Sequence, residues 1–288
     1  MSKWKGIILA GGKGSRLSPH TLVSSKHLLP VYDKPLIYYP LSVLMYSEIK
    51  DVLIIVNPEH LEQYKKLLGN GSDLGMNIEY ICQDKPKGIA DAFIIGEEFI
   101  DSDNVALVLG DNIFHGMGFL PLINKAKKQE KGCSIFTYPV DDPSRFGILT
   151  RDKKGLPLEL EEKPENPKTN QAITGLYFFD NSCIEKSKNI KPSERNELEI
   201  TSVLEQYLLE KSLYALEFGR GFAWLDTGTN DAMLDAARYV QLVEKRQGLK
   251  IACIEELALH NGWISKEDLK RISKKYYNTP YADYLNNL

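Results

Sequence analysis

The chain has 288 residues, 43% hydrophobic and 26% charged, which is ordinary globular composition with enough apolar mass for a large core without disulfides or structural metals. A formal net charge of -3 and a pI near 6.0 argue against a grip on a nucleic-acid backbone, which depends on clustered positive charge, so small ligands are the expected partners. Cys82, Cys133, Cys183 and Cys253 form no CxxC pair and the five histidines show no HxxxH spacing, so neither a disulfide framework nor a zinc site is indicated.

In chain order, Lys5 to Ala10 reads as a strand; the apolar run is too short for a membrane span or a secretory leader and Gly11-Gly12 ends it, so no membrane and a cytoplasmic location are expected. Ile37 to Ser47 reads as a helix, Val52 to Val56 as a strand, Pro58 to Leu68 as a helix, Ile78 to Gln83 as a strand, Ala90 to Phe99 as a helix and Val105 to Leu109 as a strand. Such alternation signals βαβ units, and strands apolar at nearly every position suit a parallel sheet covered on both faces. From about Gly132 to Phe218 the pattern changes to strand-like runs with few helices between them: Ser134 to Val140, Gly147 to Thr150, Leu156 to Glu161, Thr174 to Phe179 and Leu213 to Phe218. The tail from Thr229 reads as helical, with Ser265 and Asp268 spaced as a capping box.

Chemistry concentrates at a few points. The first strand runs into Gly11-Gly12-Lys13-Gly14-Ser15-Arg16, where three glycines in four positions let backbone amides approach an anion. The loop matches neither GxxxxGK[ST] nor a full GxGxxG, so neither a Walker-type ATPase nor a dinucleotide dehydrogenase is implied. A ligand-free turn has the same composition, but Arg16 and Lys26 supply charge that a triphosphate needs. Asp111 follows the strand Val105 to Leu109 through Gly110, at the carboxyl end where open α/β sheets bind ligands; a turn or helix-capping aspartate reads the same way. Asp226 precedes a helix and is by itself a capping residue, yet with Asp111 it makes a carboxylate pair suited to Mg²⁺. Glu162-Lys163-Pro164, alone, is a solvated turn.

Taken together, LAGGKGSRL at 9 to 17, SKHLLPVYDKPLIYYPLSVLM at 25 to 45, LGDNIF at 109 to 114, EEKP at 161 to 164, TGLYFFD at 174 to 180, ELEIT at 197 to 201, WLDTGT at 224 to 229 and RQGLKIACIEELA at 246 to 258 resemble the glucose-1-phosphate thymidylyltransferase family of nucleotidyltransferases. The resemblance implies an α/β, Rossmann-like fold: a mostly parallel mixed sheet flanked by helices, with an inserted sugar-binding lobe and a helical C-terminal tail. It implies one domain over 1–288, with a nucleotide-binding core at about 1–131 and 219–245, the sugar lobe at about 132–218 and an oligomerisation tail at about 246–288. It further implies transfer of a deoxythymidylyl group from dTTP to α-D-glucose 1-phosphate with release of pyrophosphate, Mg²⁺ as cofactor and a homotetramer.

Residue by residue, the resemblance places the nucleotide on Leu9, Gly11, Gly12, Gly14, Ser15, Arg16 and Lys26, with Gln83 and Gly88 at the base and Asp111 with Asp226 on the metal. Catalytic positions are Arg16, Lys26, Lys163, Asp111 and Asp226. The sugar side matches Asn112, Phe146, Gly147, Glu162, Lys163, Ile173, Gly175, Arg195 and Trp224, and a regulatory nucleotide-sugar site matches Arg220, Glu256 and His260. Departures are Ser15 for Thr, His27 and Asp91 for Gln, Phe146 for Tyr, Asn196 for Gly and His260 for Arg. His27 and Asp91 are expected to alter the polar lining near the nucleotide. A UTP-using uridylyltransferase is the near alternative, since one methyl separates the bases, worth ~0.8 kcal/mol. A glycosyltransferase consuming a nucleotide sugar is a second, though it leaves the glycine loop without a purpose.

Overall fold

The apolar run that opens the chain, β1 (Trp4–Ala10), forms the middle of the sheet, and its pleat sets the layers. Ile8 faces one core with Ile54 and Val108, while Ile7 faces the other with Leu53 and Leu107; all six are fully buried. The computed structural model describes residues 3–288. A small hairpin of β2 (Pro30–Val31) and β3 (Lys34–Pro35) precedes α1 (Tyr38–Tyr46), followed by β4 (Asp51–Val56), α2 (Leu61–Leu68), β5 (Asn77–Cys82), α3 (Asp91–Ile95), α4 (Glu97–Ile100), β6 (Asn104–Leu109), β7 (Asn112–His115) and α5 (Phe119–Lys128). The next stretch carries β8 (Cys133–Pro139), β9 (Gly147–Arg151), β10 (Pro157–Glu162), β11 (Gln171–Phe179), α6 (Cys183–Asn189), α7 (Ile200–Leu209), β12 (Leu213–Glu217) and β13 (Ala223–Asp226). The long α8 (Asn230–Gln247) and then α9 (Ile254–His260), α10 (Lys266–Ser273) and α11 (Pro280–Asn286) complete the chain.

Among the described residues nine strands share one sheet, in the order β10-β9-β11-β6-β1-β4-β5, with β8 on β11 and β12 on β8. The β6-β1-β4-β5 block is parallel throughout, and β11 joins it antiparallel through Leu176 opposite Val108. This is the mixed, mostly parallel, helix-flanked architecture expected. The strands of 132–218 therefore extend the parallel sheet instead of forming one of their own. That stretch is also richer in helix than its strand-like runs suggest, since α6 and α7 cover its far core through Cys183, Val203 and Leu204.

Two expected helices differ in extent. Ala90 to Phe99 is broken at Gly96, where the backbone passes so close to the sheet that a Cβ would lie 3.0 Å from Ile7 and 3.3 Å from Leu53. Pro58 to Leu68 begins as a 3-10 turn capped by Asn57, whose Oδ1 accepts from the Glu59 amide at 3.0 Å. The Ser265 and Asp268 capping box forms as expected.

A buried ionic knot joins the end of α8 to the β2-β3 hairpin. Lys34, 3% exposed, donates to Glu244 at 2.8 Å and to Asp33 at 2.5 Å, and Glu244 also accepts from the Ile251 amide at 2.9 Å. Lys250 closes the knot on Asp33 and Glu244. Glu244→Ala leaves the buried Lys34 ammonium short of a partner and is expected to cost about 3 kcal/mol. Urea denaturation checks this; a loss under about 0.5 kcal/mol contradicts the reading.

Candidate active site

Parallel pairing places Leu9 of β1 opposite Leu109 of β6, so the loops that leave both strands emerge side by side at their carboxyl ends. The Gly110 amide donates to the Leu9 carbonyl at 3.0 Å and stitches the two exits together. On the first loop, Gly14 has φ 62°, and a Cβ there would stand 2.9 Å from Thr21 and 3.0 Å from Lys26. A Cβ at Gly11 would stand 2.9 Å from the Gln83 Oε1. Ser15 and Arg16 follow on an exposed 3-10 turn, with Gly12 exposed beside them.

On the second loop Asp111 meets Lys26, whose Nζ donates to Oδ2 at 2.5 Å although the two lie 85 positions apart. Asn112 is a junction. It gives its Nδ2 hydrogen to Asp111 at 2.8 Å, while its Oδ1 accepts from Trp224 Nε1 at 2.6 Å and the Gly175 amide at 3.1 Å. Asn112, sequence-expected among the sugar residues, therefore spends its side chain as a brace. β13 pairs antiparallel with β7 and sets Asp226 opposite Asn112, and Thr227 donates twice to the Asp111 carbonyl. Asp111 and Asp226 thus meet at one cavity of about 350 Å³.

Charge in that cavity is uneven. Burial raises the Asp111 carboxyl's pKa, but the Lys26 charge and hydrogen bond outweigh it, so Asp111 titrates below the usual carboxylate range. Asp226 is pushed up, first by burial and then by the Asp111 charge, against weaker pulls from Lys26, Arg145 and Arg16. The second carboxylate is short of positive charge, and two oxygen-donor carboxylates on one wall suit a hard divalent cation that takes its other ligands from phosphate and water.

The opposite wall comes from β9, β10 and β11. Glu162 accepts from Arg195 at 3.1 Å and from Thr201 Oγ1 at 3.1 Å, with Lys163 Nζ 3.7 Å away. Lys163 holds φ 45°, and its amide donates to the Phe146 carbonyl at 3.0 Å. Gly147, Ile173 and Gly175 line the same space, and a Cβ on Gly175 would lie 2.6 Å from Asn112 Oδ1. Phe146 packs on Trp224 with ring centroids 5.1 Å apart. Arg195 is anchored by Glu199 at 2.8 Å, and Asn196 beside it has φ 59°, a left-handed backbone that asparagine tolerates better than most residues. Gly88, at φ 107°, lies so near the Leu198 backbone that a Cβ would approach its carbonyl to 2.3 Å.

Sequence reasoning missed Arg145, which lines the cavity and reaches Asp226 Oδ2 at 3.5 Å. Its 3-10 turn after Pro143 has no motif, and the contact spans 81 positions, so no local signal was available. Ile89, Leu109, Tyr177, Ile200 and Thr201 also line the cavity. Glu256 and His260 line a separate cavity of about 400 Å³ near the tail, where burial raises the Glu256 carboxyl's pKa; Arg220 sits on the exposed turn between Phe218 and Phe222.

His27, only 4% exposed, turns Nδ1 toward Ser25 at 3.2 Å and Tyr64 at 3.3 Å, with its ring against Gly110. Burial, reinforced by Lys26, lowers its pKa to about 4. The folded state therefore resists a proton that the unfolded chain accepts near pH 6.5, so stability is intact above that pH and falls as pH drops toward 4. The loss expected from His27 is about 3 kcal/mol. Comparing urea unfolding of the parent and His27→Gln at pH 7 and pH 4.5 measures it; equal pH dependence in both proteins refutes it.

Comparison with known proteins bears on this site. A family model described as nucleotidyl transferase matches residues 5–242. The chain is 52% identical over 281 residues to a glucose-1-phosphate thymidylyltransferase of Neisseria meningitidis, covering 98% of both chains. It is 49% identical over 281 residues to one from Mycobacterium tuberculosis, covering 98% of this chain and 97% of the relative. A Bacillus anthracis crystal structure described as a putative glucose-1-phosphate thymidylyltransferase in complex with a sucrose superposes with TM-score 0.76 at 39% identity, over 82% of this chain and 94% of that one. A UDP-glucose pyrophosphorylase complexed with UDP-glucose reaches TM-score 0.73 at 24% identity, over 84% and 100%, a likeness of fold alone.

Proposed function

The chain belongs to the nucleotidyl transferase family, with the glucose-1-phosphate thymidylyltransferases as its near relatives, and we propose that it joins the deoxythymidylyl group of dTTP to α-D-glucose 1-phosphate, releasing pyrophosphate. The observation that carries this reading is the meeting of Asp111 and Asp226 at one cavity, beside the glycine loop and opposite Lys163 and Arg195. A donor for phosphate, a carboxylate pair and a cation-lined pocket of sugar size are what the joining of two phosphorylated substrates requires.

In this reading the triphosphate lies along Leu9 to Arg16, with the base toward Gln83 and Gly88. The sugar phosphate enters among Gly147, Glu162, Lys163, Ile173, Arg195 and Trp224. Asp111 and Asp226 would hold Mg²⁺, which supplies charge neutralisation at the reacting phosphates. A sugar phosphate has its second pKa near ~6, so its oxygen is anionic at neutral pH and attack on the α-phosphorus needs no general base. Arg16 and Lys26 face the departing pyrophosphate, and Lys163 offsets repulsion between the nucleophile and the α-phosphate. The left-handed backbone at Lys163, tied to the Phe146 carbonyl, holds that ammonium over the pocket instead of letting it follow the strand outward. Glu162, steadied by Arg195 and Thr201, presents a carboxylate to sugar hydroxyls.

The reading extends to assembly. Leu234 and Leu242 on α8 and Leu249 after it are half exposed, an apolar face for further copies in a homotetramer. No helix among the described residues is long and apolar enough to cross a membrane.

A panel of nucleoside triphosphates against sugar 1-phosphates, read by pyrophosphate release, tests the reaction; release with dTTP and glucose 1-phosphate is expected, and no release with any pair refutes it. Asp226→Asn is expected to lower kcat at least ~10²-fold with the melting temperature unchanged or raised, because it removes one of two repelling carboxylates. Activity within threefold of the parent removes Asp226 from the metal-holding role.

A further inference from the structure

We propose that Asp91 is a positioning residue for base selection: it accepts an amide hydrogen of Gln83 and thereby turns the Gln83 carbonyl oxygen toward the nucleobase, so that the site selects a base with an imide N–H. This rests on the proposed function, in which the triphosphate lies on the glycine loop and the base lies toward Gln83.

The geometry is local and closed. Gln83 leaves the carboxyl end of β5, its backbone amide donating to the Val56 carbonyl at 2.9 Å. Gln83 is 6% exposed and so is Asp91, at the start of α3. Gln83 Nε2 donates to Asp91 Oδ2 at 2.7 Å. The Gln83 Oε1 lies on the side of Gly11, 2.9 Å from where a Cβ would stand, so the absence of a side chain at Gly11 is what gives that oxygen its place beside the phosphate loop.

A primary amide can usually be turned end for end, because its two ends differ only in hydrogen bonding. Beside Asp91 they are not equivalent. A carboxylate at neutral pH has acceptors and no donor, so the NH₂ must face Asp91; the turned amide would set two acceptors against each other in a buried space. An uncharged amide at position 91 offers both a donor and an acceptor and does not impose the direction. The carboxylate is therefore what makes Gln83 an acceptor on the side of Gly11.

An acceptor in that place distinguishes bases by their ring nitrogens. Thymine and uracil present an N3–H between two carbonyls and can donate to it. Cytosine presents an unprotonated N3, which would set a lone pair against the Gln83 oxygen and leave both unpaired. A site built to accept a substrate hydrogen bond rejects the analogue that lacks the donor far more strongly than a pocket rejects a missing methyl. Asp91 thus governs thymine or uracil against cytosine and leaves thymine against uracil untouched.

The experiment measures kcat/KM for dTTP, UTP and dCTP with glucose 1-phosphate in the parent, Asp91→Asn and Asp91→Ser, together with equilibrium binding of dTTP and dCTP, which requires only the folded fraction. The dTTP to dCTP ratio is expected to fall by roughly tenfold or more in both variants. The change should be carried by the KM and the dissociation constant of the nucleotide, with the dTTP to UTP ratio staying as in the parent. An unchanged dTTP to dCTP ratio, or a uniform fall in kcat with all three nucleotides, overturns the role of Asp91. A parent that uses dCTP as well as dTTP overturns instead the placement of the base on which the proposal stands.

Discussion

Two carboxylates that repel one another share one wall of the cavity, and much of the surrounding structure answers to that constraint. Asp111 is matched by Lys26, buried and at hydrogen-bond distance, whereas Asp226 is reached by Arg145 at 3.5 Å, feels Lys26 and Arg16 from farther off, and keeps a raised pKa. Removing charge from water is costly, and an arrangement that leaves one carboxylate poorly paired is unfavourable unless another cation arrives. The pair persists because the backbone does not let it separate: β13 is locked to β7, Thr227 grips the Asp111 carbonyl, and Asn112 ties Asp111, Trp224 and Gly175 into one unit.

Positioning reaches outward from there. Lys26 belongs to the short segment that runs into the β2-β3 hairpin, and that hairpin is held by Lys34 and Glu244 to the end of α8. The tail then packs on the same region through Lys250, and is itself held together by the buried Glu255, which accepts from Tyr276 and Tyr281 at 2.7 Å each. Lys26 is thus linked, through the hairpin, to helices far along the chain that do not themselves line the cavity.

The family departures have unequal physical standing. Asn196 occupies a left-handed backbone position where it replaces glycine at modest strain. Phe146 keeps the aromatic packing on Trp224 and gives up a hydroxyl. His27 is a core histidine held neutral by burial, with its nitrogen toward Tyr64 and Ser25. Asp91 accepts a hydrogen bond from Gln83, a neighbour that borders the glycine loop.

The sequence by itself determined the parallel core. Apolar β-branched runs separated by helix-length segments admit few other arrangements, and β1, β4, β5 and β6 lie where they were expected. It also identified the glycine loop and the charged residues around it, since glycine spacing and ordered motifs are written in adjacent positions. The helix break at Gly96, the β7-β13 pair and the contact of Arg145 with Asp226 were not legible. Each depends on close approach between segments distant in the chain: a helix against Ile7 and Leu53, two four-residue strands, and a cation 81 positions from its carboxylate. The same holds for His27 and Asp91, whose residue types were visible but whose orientation was decided by Tyr64, Gly110 and Gln83 once packing had closed around them. Periodicity records which side of an element is apolar; only the assembled core settles which polar atom faces which.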